Sequence, residues 1–240
     1  MIEQNTILFY EYLTRAGNRL KNYTPKVKTD TNHVAVIFET RKDEHLESIM
    51  KNTLFYLNET DSKIKWGLQI FHGTENEEYV KSIVRNWGDV KLINIGSSSI
   101  TKLEYSELMK TSTFWKQINA EKVLIFQSDS ILLRSGIDEF LEYDYIGAPW
   151  RKPKENKMVG NGGLSLRTVA KMVEICDKYK DEELMWEDIY FVKYIDEGLA
   201  DIEVANKFSM EDVYSPNPLG VHLPIKHIET YLLKEVLFKN

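Results

Sequence analysis

The sequence holds a single cysteine, Cys176. No intrachain disulfide can form, and no metal centre built on cysteine pairs is possible. One thiol in 240 residues also fits a reducing compartment. Long apolar runs are missing too: none approaches the ~20 residues a helix needs to cross a bilayer. The opening stretch, MIEQNTILFYEYLTRAGNRL, has a short apolar burst but no basic leader and no small-residue cleavage site. These absences read as a cytoplasmic protein without a transmembrane segment. Clustered positive charge is also scarce. Lys+Arg number 31 against 37 Asp+Glu, a formal net charge of −6. The electrostatic footprint of a nucleic-acid binder is therefore absent. No Gly-x-Gly-x-x-Gly follows the first strand and no Gly-Lys-Ser/Thr loop occurs, which excludes dinucleotide and P-loop sites. The five histidines show no His-Glu-x-x-His spacing. Internal repeats and low-complexity tracts are lacking as well.

What is present suits one α/β domain. Hydrophobic residues make up 42% and aromatics 12%, enough for a sizeable core, and a charged content of 28% is ordinary for a globular chain. Residues 1–32 read as a short helix over 5–20 and a linker; residues 33–240 read as the domain proper. Apolar, β-branched runs predict buried strands at 33–39, 66–71, 90–95 and 122–126. Helical spacing predicts helices at 46–57, 80–87 and 103–118 between them. This alternation predicts a mostly parallel central sheet flanked by helices. The second half is less regular, with a short strand at 144–147, a polar loop over 151–163, helices near 167–179 and 186–197, and a last helix from about 227. Ligands of such sheets sit beyond the carboxyl ends of strands.

Four stretches there carry chemistry. In Val123–Leu133 an apolar strand is interrupted by Gln127-Ser128-Asp129-Ser130. A buried Asp129 needs a cation or strong donors to compensate it, so the stretch is either a metal-binding turn or a turn whose Asp caps backbone amides. Val159–Arg167 contains Gly160, Gly162 and Gly163, which either let backbone approach a ligand or form a plain tight turn. In Met185–Phe191, Glu187 and Asp188 either complement a helix N-terminus or form a general base and its partner. His222, in Pro218–His222, is either a structural histidine or one folded back over a site. A phosphohydrolase with an Asp nucleophile would need Asp-x-Asp after the first strand, where Glu39-Thr40-Arg41 stands instead.

In order, FQSDSILL, YDYIGAPW, GNGGLSLR, WEDIYF and PLGVH resemble the nucleotide-sugar glycosyltransferases of the GT-A fold. They resemble most a glycosyltransferase-like domain family of poorly defined function found in viral and fungal proteins, and more distantly the inverting β-galactosyltransferase-like families. The resemblance spans about 33–225. It implies a single GT-A-type domain with an acceptor half at the C-terminus. It also implies a metal-dependent transferase moving sugar from a nucleotide-diphosphate donor, a UDP-sugar first among them, to a hydroxyl on a glycan, protein or lipid-linked acceptor. Asp129 matches the second aspartate of Asp-x-Asp and, with His222, would hold Mn2+ or Mg2+. Gln127 replaces the first aspartate, and its amide can still bond a ribose or a metal-bound water. Asp188 matches the catalytic base and Glu187 a residue orienting substrate hydroxyls. Ser128, Gly162, Gly163 and the trio Glu39, Thr40 and Arg41 would hold the donor. Arg134, Arg151, Lys152 and Lys154 are candidates for cationic help to the leaving group. Trp150 is the aromatic singled out as an acceptor platform, from a set with Tyr143, Tyr145 and Trp186. The Gln127 departure keeps a second reading open, a catalytically inactive nucleotide-sugar or glycan-binding module of the same fold.

Overall fold

The computed structural model describes residues 1–28, 30–59, 64–180 and 186–238. Its centre is a six-stranded sheet built from β1 (His33–Glu39), β2 (Trp66–His72), β3 (Lys91–Asn94), β4 (Lys122–Phe126), β6 (Tyr145–Ile146) and β9 (Leu164–Thr168), in the order β3-β2-β1-β4-β9-β6. The first four strands pair in parallel. β9 and β6 run antiparallel at one side. The helices α1 (Ile2–Arg19), α2 (Leu46–Asn58), α3 (Glu77–Val84), α4 (Lys102–Met109), α5 (Ser112–Trp115) and α6 (Val169–Lys178) flank it, with α7 (Glu187–Tyr194), α8 (Ile202–Phe208) and α9 (Thr230–Phe238) in the C-terminal half. The expected mostly parallel α/β sheet is therefore present.

Strand periodicity sorts the core into two layers. Ala35, Ile37, Leu124, Phe126, Leu164 and Leu166 face one side, where α1, α2, α8 and α9 pack. Val34, Val36, Val123 and Ile125 face the other, against Phe114, Trp115, Met172 and Phe191. Burial on both faces explains why these strands read as continuous apolar runs rather than alternating ones. α1 contributes Phe9, Leu13 and Ala16 to the first layer.

Several expectations change. The predicted helix 103–118 is two helices, broken where Thr111 caps Phe114 N. The predicted loop 151–163 is largely a hairpin of β7 (Pro149–Lys154) and β8 (Lys157–Val159). Glu155 and Asn156 both take positive φ at its tip, 47° and 61°, the backbone a two-residue hairpin turn requires. A small second sheet joins β10 (Ser209–Met210), β11 (Gly220–His222) and β5 (Ser130–Leu132), three short strands that the sequence reading did not assign. Met185 lies outside the described residues. Among the described residues no helix is long and apolar enough to cross a membrane.

Candidate active site

The end of β4 turns sharply. Ser130 N and Oγ both donate to the Gln127 carbonyl, at 3.0 and 2.8 Å, and Ser130 Oγ accepts from Gln127 N at 3.1 Å. Ser128 and Asp129 are left at the corner. β5 then runs antiparallel to β11, which sets His222 opposite Ser130. Leu223 N donates to the Asp129 carbonyl at 2.9 Å, and Leu223 holds a φ of 40° in doing so, a local strain that must be supported by its surroundings. In this way a residue 93 positions downstream is delivered to the tip of the fourth strand.

There Asp129 Oδ1 is shut off from solvent without an aligned hydrogen bond and faces His222 Nε2 at 3.3 Å as an ion pair. Gln127 Oε1 lies 3.2 Å from the same nitrogen. Glu211 Oε1 approaches His222 Nδ1 at 3.6 Å. Burial alone would strip the imidazole of its proton, but Asp129 and Glu211 outweigh burial and push His222 up to about 10. Asp129 is held below the usual carboxylate range; burial opposes this and His222 and Arg41 drive it. Carboxylate and amide oxygen are donors that Mn2+ and Mg2+ accept, the imidazole could join them only by giving up the proton that Asp129 and Glu211 hold on it, and the orphaned Asp129 oxygen fits such an ion. Among the described residues no three His, Cys, Asp or Glu side chains gather as a complete metal site. The set is a half-site that ligand oxygens would have to complete.

Next to it lies the trio Glu39, Thr40 and Arg41. Glu39 is buried at the end of β1 and takes Arg41 in a fork, Nε at 2.8 Å and Nη2 at 2.7 Å. Burial would raise the Glu39 carboxyl, and the hydrogen bonds and charge of Arg41 overcome that and lower it. Arg41 also donates to Ser128 Oγ at 3.1 Å, which joins the ends of β1 and β4. Thr40 is buried. Buried Asn76 donates to the Glu39 and Arg41 carbonyls at 2.9 and 3.0 Å and so fixes this loop.

The glycine segment separates two halves of the site. A side chain begun at Gly163 would meet His222 Nε2 at 2.0 Å, and one begun at Gly162 would meet Glu187 Oε1 at 1.8 Å. The adjacent glycines thus touch the Asp129–His222 pair and the Glu187–Asp188 pair. Asn161 steadies the turn at a φ of 51°, its amide oxygen accepting from Gly163 N at 3.1 Å and its amide nitrogen bonding Glu211. Gly163→Ala should force His222 to move and cost on the order of 1–3 kcal/mol of stability, measurable as a lowered midpoint in urea. An unchanged midpoint would mean that the imidazole yields freely.

Glu187 opens α7, and both its oxygens engage Arg167, at 2.7 and 3.1 Å. Arg167 is 0% exposed, bonds Ser165 Oγ at 2.9 Å, and lies against the rings of Tyr145, Phe191 and Trp115 at 4.6, 5.3 and 5.5 Å. It occupies the second face of β9, where an apolar residue would be expected. Asp188 has no such partner. Burial first, then the Glu187 charge, raise its carboxyl to about 6, with Lys154 pulling the other way. Tyr105 lies within electrostatic reach of Gln127, Glu187 and Asp188, and burial raises its hydroxyl strongly. Arg167, Tyr105, Asn76 and Glu211 were not singled out from the sequence. Only Arg167, a lone charge closing a buried strand, offered a signal.

Of the other candidates, Trp150 is buried within β7 and Tyr145 within β6, where its hydroxyl donates to the Asn161 carbonyl at 3.1 Å. Tyr143 packs partly buried against the first core layer. Trp186 stands 51% exposed immediately before Glu187. Arg134 bonds its neighbour Ser135 and pairs with Glu139 at 3.4 Å.

The fold resembles solved structures of low identity. The galactosyltransferase LgtC in complex with donor and acceptor sugar analogs matches with a TM-score of 0.54 at 10% identity, over 85% of this chain and 95% of that one. An active-site mutant of LgtC gives 0.54 at 11% identity, over 84% and 94%. The 4-diphosphocytidyl-2C-methyl-D-erythritol synthase of Anaerococcus prevotii gives 0.50 at 12% identity, over 71% and 86%. These likenesses show a GT-A fold. No curated protein sequence matches the chain. A family model described as "Protein of unknown function (DUF5672)" matches residues 90–222, which take in every site residue above except Glu39, Thr40, Arg41 and Asn76. With more than half of its length matched, from the third strand to His222, this chain belongs to the DUF5672 family.

Proposed function

We propose that this protein is a metal-dependent glycosyltransferase that moves a sugar from a nucleotide diphosphate, a UDP-sugar first among them, to an acceptor hydroxyl on a glycan, protein or lipid-linked sugar, with inversion. The observation that carries the reading is the paired geometry across the glycine turn. On one side stand a half-buried carboxylate, with one oxygen shut off from solvent, and a buried imidazole, and on the other a half-buried carboxyl whose affinity for a proton is raised. Asp129 and His222, with the Gln127 amide, would hold Mn2+ or Mg2+. When bound, that ion supplies Lewis-acid stabilisation of the departing diphosphate. Glu39, Thr40, Arg41 and Ser128 would bind the nucleotide where β1 and β4 end, and Gly162 and Gly163 would let the donor sugar approach the backbone. Asp188 would accept the proton of the acceptor hydroxyl as its oxygen attacks the anomeric carbon. Glu187, with both oxygens held by Arg167, acts in this scheme as a positioning residue that fixes α7 and tunes Asp188. The lone buried thiol supports a cytoplasmic site of action.

A panel of nucleotide sugars tests the proposal. Mn2+ with the right donor should raise the melting temperature, and Mn2+-dependent release of the nucleotide should follow. A second reading, an inactive nucleotide-sugar-binding module, draws on Gln127 in place of aspartate and on the incomplete ligand set. Stabilisation without any turnover would select it.

Asp188 gives a pH prediction. Turnover should rise with pH through about 6, as the base ionises, and then level off. Its folded carboxyl lies above the ordinary aspartate value of 3.8. Folding is therefore unpenalised below about pH 4 and loses stability as pH climbs through 6. Asp188→Asn should match the wild type near pH 4, exceed its stability at pH 7.5 by on the order of 2 kcal/mol, and lose transfer. Chemical denaturation at the two pH values checks it. Equal stability at both would remove the buried-base argument.

A further inference from the structure

Arg151, Lys152 and Lys154 fall within four residues of β7, in a chain whose net charge is −6. With Trp150, Asp212 and His227 they line a pocket of about 490 Å³, a size suited to a small ligand. Two of these cations contact rings rather than carboxylates. Lys154 Nζ lies 4.4 Å from the centroid of the Trp150 ring. Arg151 Nη1 is 3.0 Å from His227 Nδ1. His227 Nε2 lies 3.8 Å from Asp212 Oδ1. Asp212 is the pocket's one lining carboxylate, and burial followed by the charge of Glu211 raises it toward its neutral form. The pocket is therefore net cationic.

Its position links it to the candidate active site. The Trp150 ring lies so close over Gly160 that a side chain begun there would meet it at 1.9 Å, and Gly160 leads directly into Asn161, Gly162 and Gly163. Asp212 follows Glu211, which contacts His222. Lys154 is near enough to Asp188 to act on its charge. The pocket thus adjoins the glycine turn, next to both the His222 and the Asp188 halves of the site. The Glu39–Arg41–Ser128 cluster lies at the ends of β1 and β4.

We propose that this pocket receives the anionic group of an acidic acceptor, a carboxylate or a phosphate carried by the acceptor sugar, and so sets the acceptor class. The proposal rests on the glycosyl-transfer reading above for the word acceptor, but anion binding itself can be tested without it. Calorimetry on the full chain, with no donor present, would compare glucuronic acid, glucose 6-phosphate and glucose. At least one acid should bind at least ten times more tightly than glucose. The double variant Arg151→Gln/Lys152→Gln, altered only at exposed positions, should weaken that binding about tenfold while its circular dichroism stays unchanged. Which acid binds more tightly tells carboxylate from phosphate. Glucose binding as well as both acids, or the variant binding the acids unchanged, overturns the proposal. So does a variant that loses UDP affinity while keeping that for the acids, because the pocket would then serve the donor. Mn2+-dependent donor hydrolysis is measured in parallel. Hydrolysis without anion binding removes the pocket assignment alone, and anion binding without hydrolysis by any donor removes the transferase reading alone.

Discussion

Asp129→Ala is expected to lower metal-dependent turnover of the donor by about 10²–10³-fold, the scale on which removing a preorganised electrostatic stabiliser acts. Asp129 Oδ1 is buried without an aligned hydrogen bond, and the groups closest to it are those that also suit a cation. Substituting alanine removes the carboxylate that faces His222 Nε2, and Gln127 beside it offers only an amide oxygen. His222 keeps Glu211 on its other nitrogen, so the ring should remain in place and the variant should fold. Turnover at several Mn2+ concentrations is the informative measurement. A variant that recovers full rate at high Mn2+ has lost affinity only, and one that stays slow has lost the stabilisation itself. Wild-type turnover in the variant at every Mn2+ concentration would dismantle the assignment.

The largest stability effect should come from Arg167→Met. Arg167 is enclosed by aromatic rings and neutralised by Glu187 in a two-point fork. Truncating it strands the Glu187 carboxylate in an apolar layer, and breaking such a buried pair costs about 3–5 kcal/mol. The double variant Arg167→Met/Glu187→Leu leaves no charge stranded and should regain most of that loss. A double-mutant cycle by urea denaturation measures the coupling. If the two losses simply add, the fork contributes nothing beyond its separate side chains.

Much of the fold was legible because strands buried on both faces leave unbroken apolar runs. His33–Glu39 and Lys122–Phe126 appear as β1 and β4 with the bounds their composition suggested. The hairpin was not legible. Arg151–Lys157 is charged, interrupted by Pro153, and pairs only β7 with β8, so no apolar alternation marks it. β11 was hidden for a related reason: three residues after a proline-rich segment form a strand only because β5 and β10 offer backbone partners. In the site, Asp129 could be found because a carboxylate amid an apolar run needs an explanation. The fork that occupies Glu187 could not: Arg167 is a lone charge in an apolar strand, but nothing in the sequence names its partner 20 residues on. Its burial is set by Trp115, Tyr145 and Phe191, which come from three distant parts of the chain. Glu211 likewise reaches His222 only through the β10–β11 pairing.

The two adjoining glycines give the site an unusual mutational signature. Position 163 abuts an imidazole and position 162 abuts a carboxylate, so any methyl group pushes on a different piece of chemistry depending on which residue carries it. Neither position has room for one added carbon unless its neighbour, His222 or Glu187, shifts. A change at either place is therefore expected to be felt first by one half of the site and not by the other.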